Sequence, residues 1–143
     1  MDSDLGMVLS VFMRWLHIVS VIAMLGGFLY ARFVVAPAIA SSEASERMVA
    51  QFRPLLYTAI ATILISGLYN YLTKPSYPPH YHMVIGIKFL FVLHIFAAAV
   101  LYTLPKTIEA KRVRQLTGLV ISGLIVVLIS AELRWMSLTA LMK

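Results

Sequence analysis

Histidine and basic side chains lie inside long apolar stretches of this sequence, where ionisable groups are rare. His17 follows Arg14 by about one helical turn, and His94 lies in a later stretch that also contains Lys88. An ionisable group in a membrane helix costs roughly 2.5 to 3.5 kcal/mol on insertion scales, so such groups usually face a cavity or a bound group. Since neutral imidazole is a common metal ligand, the two histidines are the first candidates for chemistry.

The apolar stretches that hold these residues are long enough to cross a bilayer. The chain has 143 residues, of which 61% are hydrophobic and 13% are charged. A membrane-spanning helix needs about 20 apolar residues. We therefore predict a single domain, an all-α membrane protein in which four transmembrane helices form an up-down-up-down antiparallel bundle. The expected spans are about 8–36, 54–72, 83–104 and 116–136.

Composition and missing motifs exclude several classes of protein. The chain has no cysteine, which excludes disulfides, thiolate haem ligands and iron–sulfur clusters. It also lacks a serine nucleophile elbow, an HExxH motif and a phosphate-binding loop, so hydrolases and kinases are excluded. The 12 basic residues outnumber the 6 acidic ones. Because they lie mainly between spans, they indicate membrane topology rather than nucleic-acid binding.

Prolines and polar residues mark where the predicted helices begin and end. Pro37 and Pro105 follow the first and third spans, and Pro54 is expected in the first turn of the second span. The polar segment SSEASE, residues 41–46, contains helix-capping residues. We therefore predict a separate short amphipathic helix from this segment to about Phe52.

The distribution of basic residues predicts the orientation. The first and third connections share one side and hold seven basic residues, against at most five on the other side. Because cytoplasmic loops carry the excess of Lys and Arg, both termini are expected outside. The expected location is the bacterial inner membrane, crossed several times and in contact with lipid. The seven basic residues are Arg32, Arg47, Arg53, Lys106, Lys111, Arg112 and Arg114.

His17 and His94 lie at similar depths in this arrangement. Spans one and three run in the same direction and lie diagonally across the bundle, with each histidine about ten residues into its span. At about 1.5 Å per residue, their depths differ by only about 3 Å. Two neutral imidazoles at one depth can ligate the iron of haem b from opposite sides, which predicts a bis-histidine haem site. The alternative is that each histidine is only an interhelical hydrogen-bond partner.

Neighbouring residues extend the predicted haem site. Met24 lies on the helical face of His17 and Phe91 on that of His94, so both are expected to wall the haem. Arg14, one turn outward of His17, could pair with a haem propionate.

Lys88 competes with His94 for the position of second iron ligand. It precedes His94 by six residues, which rotates it about 120° away on a helix. An iron with two histidine ligands has no open position for a substrate. That favours electron transfer between membrane quinol or a haem enzyme and a partner on the outer side. A weaker ligand such as Lys88 would leave room for oxidoreductase chemistry, so both an enzyme and an electron carrier stay open.

The connection before span three offers a second candidate metal site. His80, His82 and Met83 supply imidazole and thioether groups, which suit copper. Copper transport is therefore an alternative function. A further alternative is a structural subunit of a larger membrane complex, or a homo-oligomer, in which the histidines only hold helices together.

Span two carries polar residues at four-residue intervals, a spacing that places them on one helical face. This polar stripe is expected to face inward and to bond neighbouring helices, with a proton or water path as the alternative. Its members are Thr58, Thr62, Ser66 and Asn70.

Three segments resemble small membrane proteins of the copper resistance protein D family and the HemJ-type protoporphyrinogen oxidases. The first, RWLHIVSVIAMLGGFLYARFVVAP, has Leu-His, then a glycine about ten residues on, then Tyr and Arg. The second, FRPLLYTAIATILISGLYNYL, resembles their intervening span, and the third, GIKFLFVLHIFAAAVLYTLP, resembles their later helix with its opening lysine. The three segments hold 65 of the 143 residues, a little under half of the chain. The matching positions in the first segment are Trp15, Leu16, His17, Gly27, Tyr30 and Arg32.

The resemblance implies a four-helix membrane protein that binds haem b and oxidises a porphyrinogen, or that moves copper. In HemJ-like proteins the histidine of the first helix and the lysine of the third are the functional pair, which correspond to His17 and Lys88. This chain departs from the HemJ pattern by adding His94 and by lacking an Asn-Glu-x-Pro run in its last span. These departures favour haem binding over the oxidase reaction.

Overall fold

The protein is built from four long helices. The computed structural model describes residues 2–38, 41–73, 78, 80–105 and 109–141, and these residues contain no strand. Helix α1 (Asp2–Tyr30) continues through a π-helical turn (Ala31–Val35) and a short α-helical segment (Ala36–Ala38). Helices α2, α3 and α4 follow at Ser42–Leu72, Tyr81–Tyr102 and Glu109–Leu141. The predicted all-α four-helix fold is confirmed.

All four helices are long and apolar enough to cross a membrane. Large hydrophobic side chains are exposed along their outer faces, including Leu5, Ile22, Leu90 and Leu128. Water-soluble proteins rarely expose apolar surface on this scale, so these faces fit contact with a lipid bilayer. The chain therefore has the architecture of a multi-pass membrane protein.

The helices pack as two hairpins, with α1 along α2 and α3 along α4, and α1 also contacts α4. All four contribute to one buried cluster, which includes Phe28, Leu56, Ala99 and Leu119. Small residues allow this packing, because a Cβ atom at Gly27 would lie 2.6 Å from the ring of Phe52. Glycine at this position therefore lets α1 and α2 approach closely.

The predicted break before Pro54 does not occur. Helix α2 begins at Ser42, with the Ser41 hydroxyl accepting a hydrogen bond from the Ala44 N–H, and it continues without interruption through Pro54. Proline leaves a carbonyl one turn earlier without its helical donor. That carbonyl belongs to Ala50, whose surface is exposed. The predicted amphipathic helix and the second span therefore form one element.

Arginines gather where α1 and α3 end and where α2 and α4 begin, a region called here the basic end. Arg32 Nε donates to Thr117 Oγ1 at 2.8 Å, and Arg53 Nη2 donates to the Thr103 carbonyl at 2.6 Å. These bonds join α1 to α4 and α2 to the end of α3. The basic end therefore holds the two hairpins together as well as carrying charge.

Arg112 is the most deeply buried of these arginines, with 3% of its surface exposed. Its guanidinium donates to Ser45 Oγ at 3.3 Å and to the Leu104 carbonyl at 3.4 Å, and it lies 3.7 Å from Glu46. A buried charge needs such partners, so Arg112 connects α4 to α2 and to the end of α3. Three lysines counted for the predicted orientation, Lys74, Lys106 and Lys143, lie outside the described residues.

Candidate functional site

His17 is held inside the bundle by a hydrogen bond to α2. Its Nδ1 atom lies 3.0 Å from Ser66 Oγ, and the Ser66 side chain is buried. The Ser66 hydroxyl in turn donates to the carbonyl of Thr62 on its own helix. Helix α2 thus presents a fixed oxygen to the imidazole.

This chain of hydrogen bonds favours one tautomer of His17. If the Ser66 hydroxyl donates its one hydrogen to the Thr62 carbonyl, its oxygen accepts from Nδ1. A neutral His17 with its proton on Nδ1 and its lone pair at Nε2 fits this arrangement. Metal-binding histidines are commonly oriented in this way, with the second nitrogen donating to a neighbouring group.

Gly67 gives the imidazole its space. A Cβ atom at this position would lie 3.1 Å from Cε1 of His17, closer than most side-chain contacts, and 3.5 Å from Nδ1, an ordinary contact distance. Ser66 and Gly67 therefore act together, since one residue anchors the ring and the next leaves room for it. A ring anchored and packed against one helix has the fixed orientation that an axial ligand requires.

Lys88 is a second ionisable group on a membrane-spanning helix. It is half-buried on α3, and no described carboxylate forms a salt bridge with it. The fold therefore leaves His17 of α1 and Lys88 of α3 both partly inside the bundle.

His94 and Arg14, which the sequence also places at the site, are exposed on the outside of the bundle. The six-residue spacing on α3 explains the difference, because a half-buried Lys88 leaves His94 about 120° away around the helix. Met24 is buried in the shared core and Phe91 is half-buried. Of the two candidates for second ligand, Lys88 is thus the half-buried one and His94 the exposed one.

The proposed copper ligands lie at the opposite end from the arginines. His80 immediately precedes α3, is exposed and has a left-handed backbone with φ of 64°. The ring of His82 lies 3.4 Å from the Tyr71 hydroxyl, and Met83 is 62% exposed. Within the described residues, no three His, Asp or Glu side chains form a metal-binding group.

The sequence pattern did not reveal the contacts that Ser66 and Gly67 make with His17. Ser66 belongs to the polar stripe of span two, but the stripe is not uniformly inward, because Thr58 is exposed and donates to the Pro54 carbonyl. Which stripe residue meets His17 depends on how α1 and α2 are aligned lengthwise. Spacing along one helix carries no information on that alignment.

Comparison with known proteins identifies no relative of this chain. No protein-family model, curated protein or solved structure significantly matches the chain.

Proposed function

We propose that this protein binds haem b in the membrane through Nε2 of His17 and acts as a redox protein. Its work is single-electron transfer between membrane quinol or a haem enzyme and a partner on the outer side. Its location in the bacterial inner membrane, with both termini outside, belongs to the same proposal and rests on the distribution of basic residues.

One observation carries the proposal, namely the orientation of His17 by Ser66. Ser66 Oγ lies 3.0 Å from Nδ1 and fixes the orientation of the half-buried imidazole, as an axial ligand requires. A haem supplies one-electron oxidation and reduction when bound. The chain's own contribution is an imidazole that Ser66 holds at Nδ1 and that packs against Gly67.

The position of Lys88 favours a second candidate function, the oxidation of a porphyrinogen. With His94 exposed, the bundle interior offers no second histidine at the level of His17 among the described residues. An iron held by one strong ligand can accept a substrate, whereas a saturated iron cannot. HemJ-type proteins, which the sequence resembles, pair a first-helix histidine with a third-helix lysine. Assay of porphyrinogen oxidation by the purified, haem-loaded protein separates this function from electron transfer alone.

The proposal is tested by the visible spectrum of the detergent-purified protein from haem-replete cells, before and after dithionite. We expect a reduced haem b spectrum in the wild type and its loss in His17→Ala. The matched control is His94→Ala, which changes the other membrane-embedded histidine and should retain the haem because His94 is exposed.

Three results would contradict the proposal or change its form. A normal spectrum in His17→Ala would end the assignment of His17. Loss of haem in His94→Ala as well would restore the bis-histidine arrangement. A colourless wild type would remove haem, and stoichiometric copper lost on replacing His80 and His82 would then support copper transport.

A further inference from the structure

His94 is an exposed polar side chain near the middle of a membrane-spanning helix. It lies 13 residues after the start of α3 at Tyr81 and eight before its end at Tyr102. These separations correspond to about 20 Å and 12 Å along the helix axis, too far for an imidazole to reach the lipid headgroups. The side chain lies on the outer face of α3, since the next two residues, Ile95 and Phe96, are buried.

Lipid cannot satisfy the hydrogen-bonding groups of this imidazole. Acyl chains offer neither donors nor acceptors, and polar residues inside membranes therefore pair with one another or with protein groups. The exposed Thr58 meets this need within its own helix, because its hydroxyl donates to the Pro54 carbonyl at 2.8 Å. His94 makes no hydrogen bond with any described residue. It therefore needs a polar group from outside this chain.

His94 belongs to a line of exposed residues along α3, called here the outer seam. Its members are spaced alternately by four and three residues, the pattern by which helices pack in left-handed coiled coils. In that pattern, a single polar residue fixes the register and the number of helices. Ala97, about one turn after His94, is small and allows a second helix to approach closely. The outer seam consists of Met83, Ile87, Leu90, His94, Ala97 and Leu101, all of them exposed.

A second copy of this chain supplies the missing polar group at the correct depth. All copies enter a membrane in one orientation, so a two-fold axis along the membrane normal makes their α3 helices parallel. In a parallel pair each residue of the outer seam meets its own counterpart, and His94 therefore meets the partner's His94. A neutral imidazole has one donor and one acceptor nitrogen, so one ring can donate to the other.

We propose that this protein forms a parallel dimer in the membrane through the outer seam, in which His94 is hydrogen-bonded to the partner's His94. The apolar residues of the seam pack around this pair and keep it away from lipid. The interface is separate from His17, which is bonded to Ser66 of α2. Dimer formation is therefore independent of haem binding.

Disulfide cross-linking in native membranes tests the interface, because the chain has no cysteine of its own. Ala97→Cys lies in the outer seam, and the matched control is Ile121→Cys, which is exposed on α4 at a similar depth. The depths are similar because Arg112 of α4 donates to the Leu104 carbonyl, and the two cysteines lie nine and seven residues further into the membrane. With a membrane-permeant oxidant, Ala97→Cys should form disulfide-linked dimers. Ile121→Cys should remain monomeric, since a disulfide requires Cα atoms within about 7 Å.

The contribution of His94 is measured as the dissociation constant of the dimer in lipid vesicles. Energy transfer between copies labelled at Asp4→Cys is followed as the protein is diluted with lipid. His94→Ala should weaken dimerisation about 3- to 30-fold, the range expected for losing an interhelical hydrogen bond in a membrane. His94→Asn should retain the wild-type constant, because an amide also carries a donor and an acceptor. Ile121→Ala, outside the seam, should leave the constant unchanged.

Three results would overturn this inference. A wild type that remains monomeric at every ratio of protein to lipid would show that a different subunit covers His94. Equal cross-linking of Ala97→Cys and Ile121→Cys would mean that the copies only collide. An unchanged dissociation constant in His94→Ala would show that the two histidines do not pair. Each measurement is made on haem-free protein, so a failure of the proposed haem binding would leave the dimer standing.

Discussion

At the scale of single residues, the site depends on one hydroxyl that is used twice. Ser66 donates to the Thr62 carbonyl and accepts from Nδ1 of His17, and both bonds are made by a buried side chain. If its partner were not His17, the Ser66 hydroxyl would only join α2 to a neighbouring helix. Its contribution is therefore to the orientation of the imidazole rather than to packing.

Ser66→Ala should weaken haem binding about 10- to 100-fold, because partners that orient a metal ligand typically contribute that much to affinity. The affinity is measured by titrating haem b into haem-free protein. The matched control is Ser130→Ala, since the Ser130 hydroxyl donates to the Val126 carbonyl of its own helix at 2.7 Å. Equal losses in the two variants, or no loss in Ser66→Ala, would show that Ser66 does not orient His17.

At the scale of elements, adjacent glycines on α1 have opposite surroundings. A Cβ atom at Gly27 would lie 2.6 and 2.8 Å from atoms of the Phe52 ring, which itself packs edge-on against Phe28. At Gly26 a Cβ atom would meet nothing within 4 Å. The contact between α1 and α2 therefore requires glycine at one of the two positions only.

Gly27→Ala should destabilise the protein by about 1 to 3 kcal/mol, since the Phe52 ring must move out of its packing position. Gly26→Ala should be neutral or stabilise it by up to about 1 kcal/mol, because alanine favours helix more than glycine does. Unfolding of both variants in one detergent measures the difference. Similar stabilities would mean that α1 and α2 are not in close contact at Gly27.

The elements also explain how far the sequence could predict the site. The four spans follow from local apolar length, and His17, which is expected in the interior, is half-buried against α2. Helix α3, in contrast, is apolar around its whole circumference and lacks an amphipathic pattern that would distinguish its inner face. The sequence favours His94 over Lys88 as the second ligand, and only packing against the other helices shows that Lys88 is half-buried while His94 is exposed. The continuous α2 was missed because Pro54 is a helix breaker by local rules alone.

At the scale of the whole molecule, charge is distributed unevenly between the two ends of the bundle. The basic end contains Arg32, Arg53 and Arg112, each bonded to a residue of another helix. The opposite end contains the exposed His80 and His82 and also the exposed Arg134. Since basic ends of membrane proteins remain in the cytoplasm, this asymmetry predicts the orientation.

Single cysteines can test this orientation without background, because the chain has none of its own. Asp4→Cys, near the amino terminus, should react with a membrane-impermeant maleimide on intact spheroplasts. Gln51→Cys, exposed near the basic end, should react only after the membrane is permeabilised. The reverse pattern of labelling would mean that the basic end faces outward.

The π-helical turn at Ala31–Val35 has a consequence for how this helix tolerates changes in length. Such a turn holds one residue more than the α-helical turns around it, so the segments on either side are out of step by about 100°. The side chain of Arg32 extends from this turn and donates a hydrogen bond to Thr117. Deleting one residue here would preserve a helix but rotate the His17 face relative to the basic end. Alignment of α1 with an uninterrupted helix would accordingly require a one-residue gap at this turn.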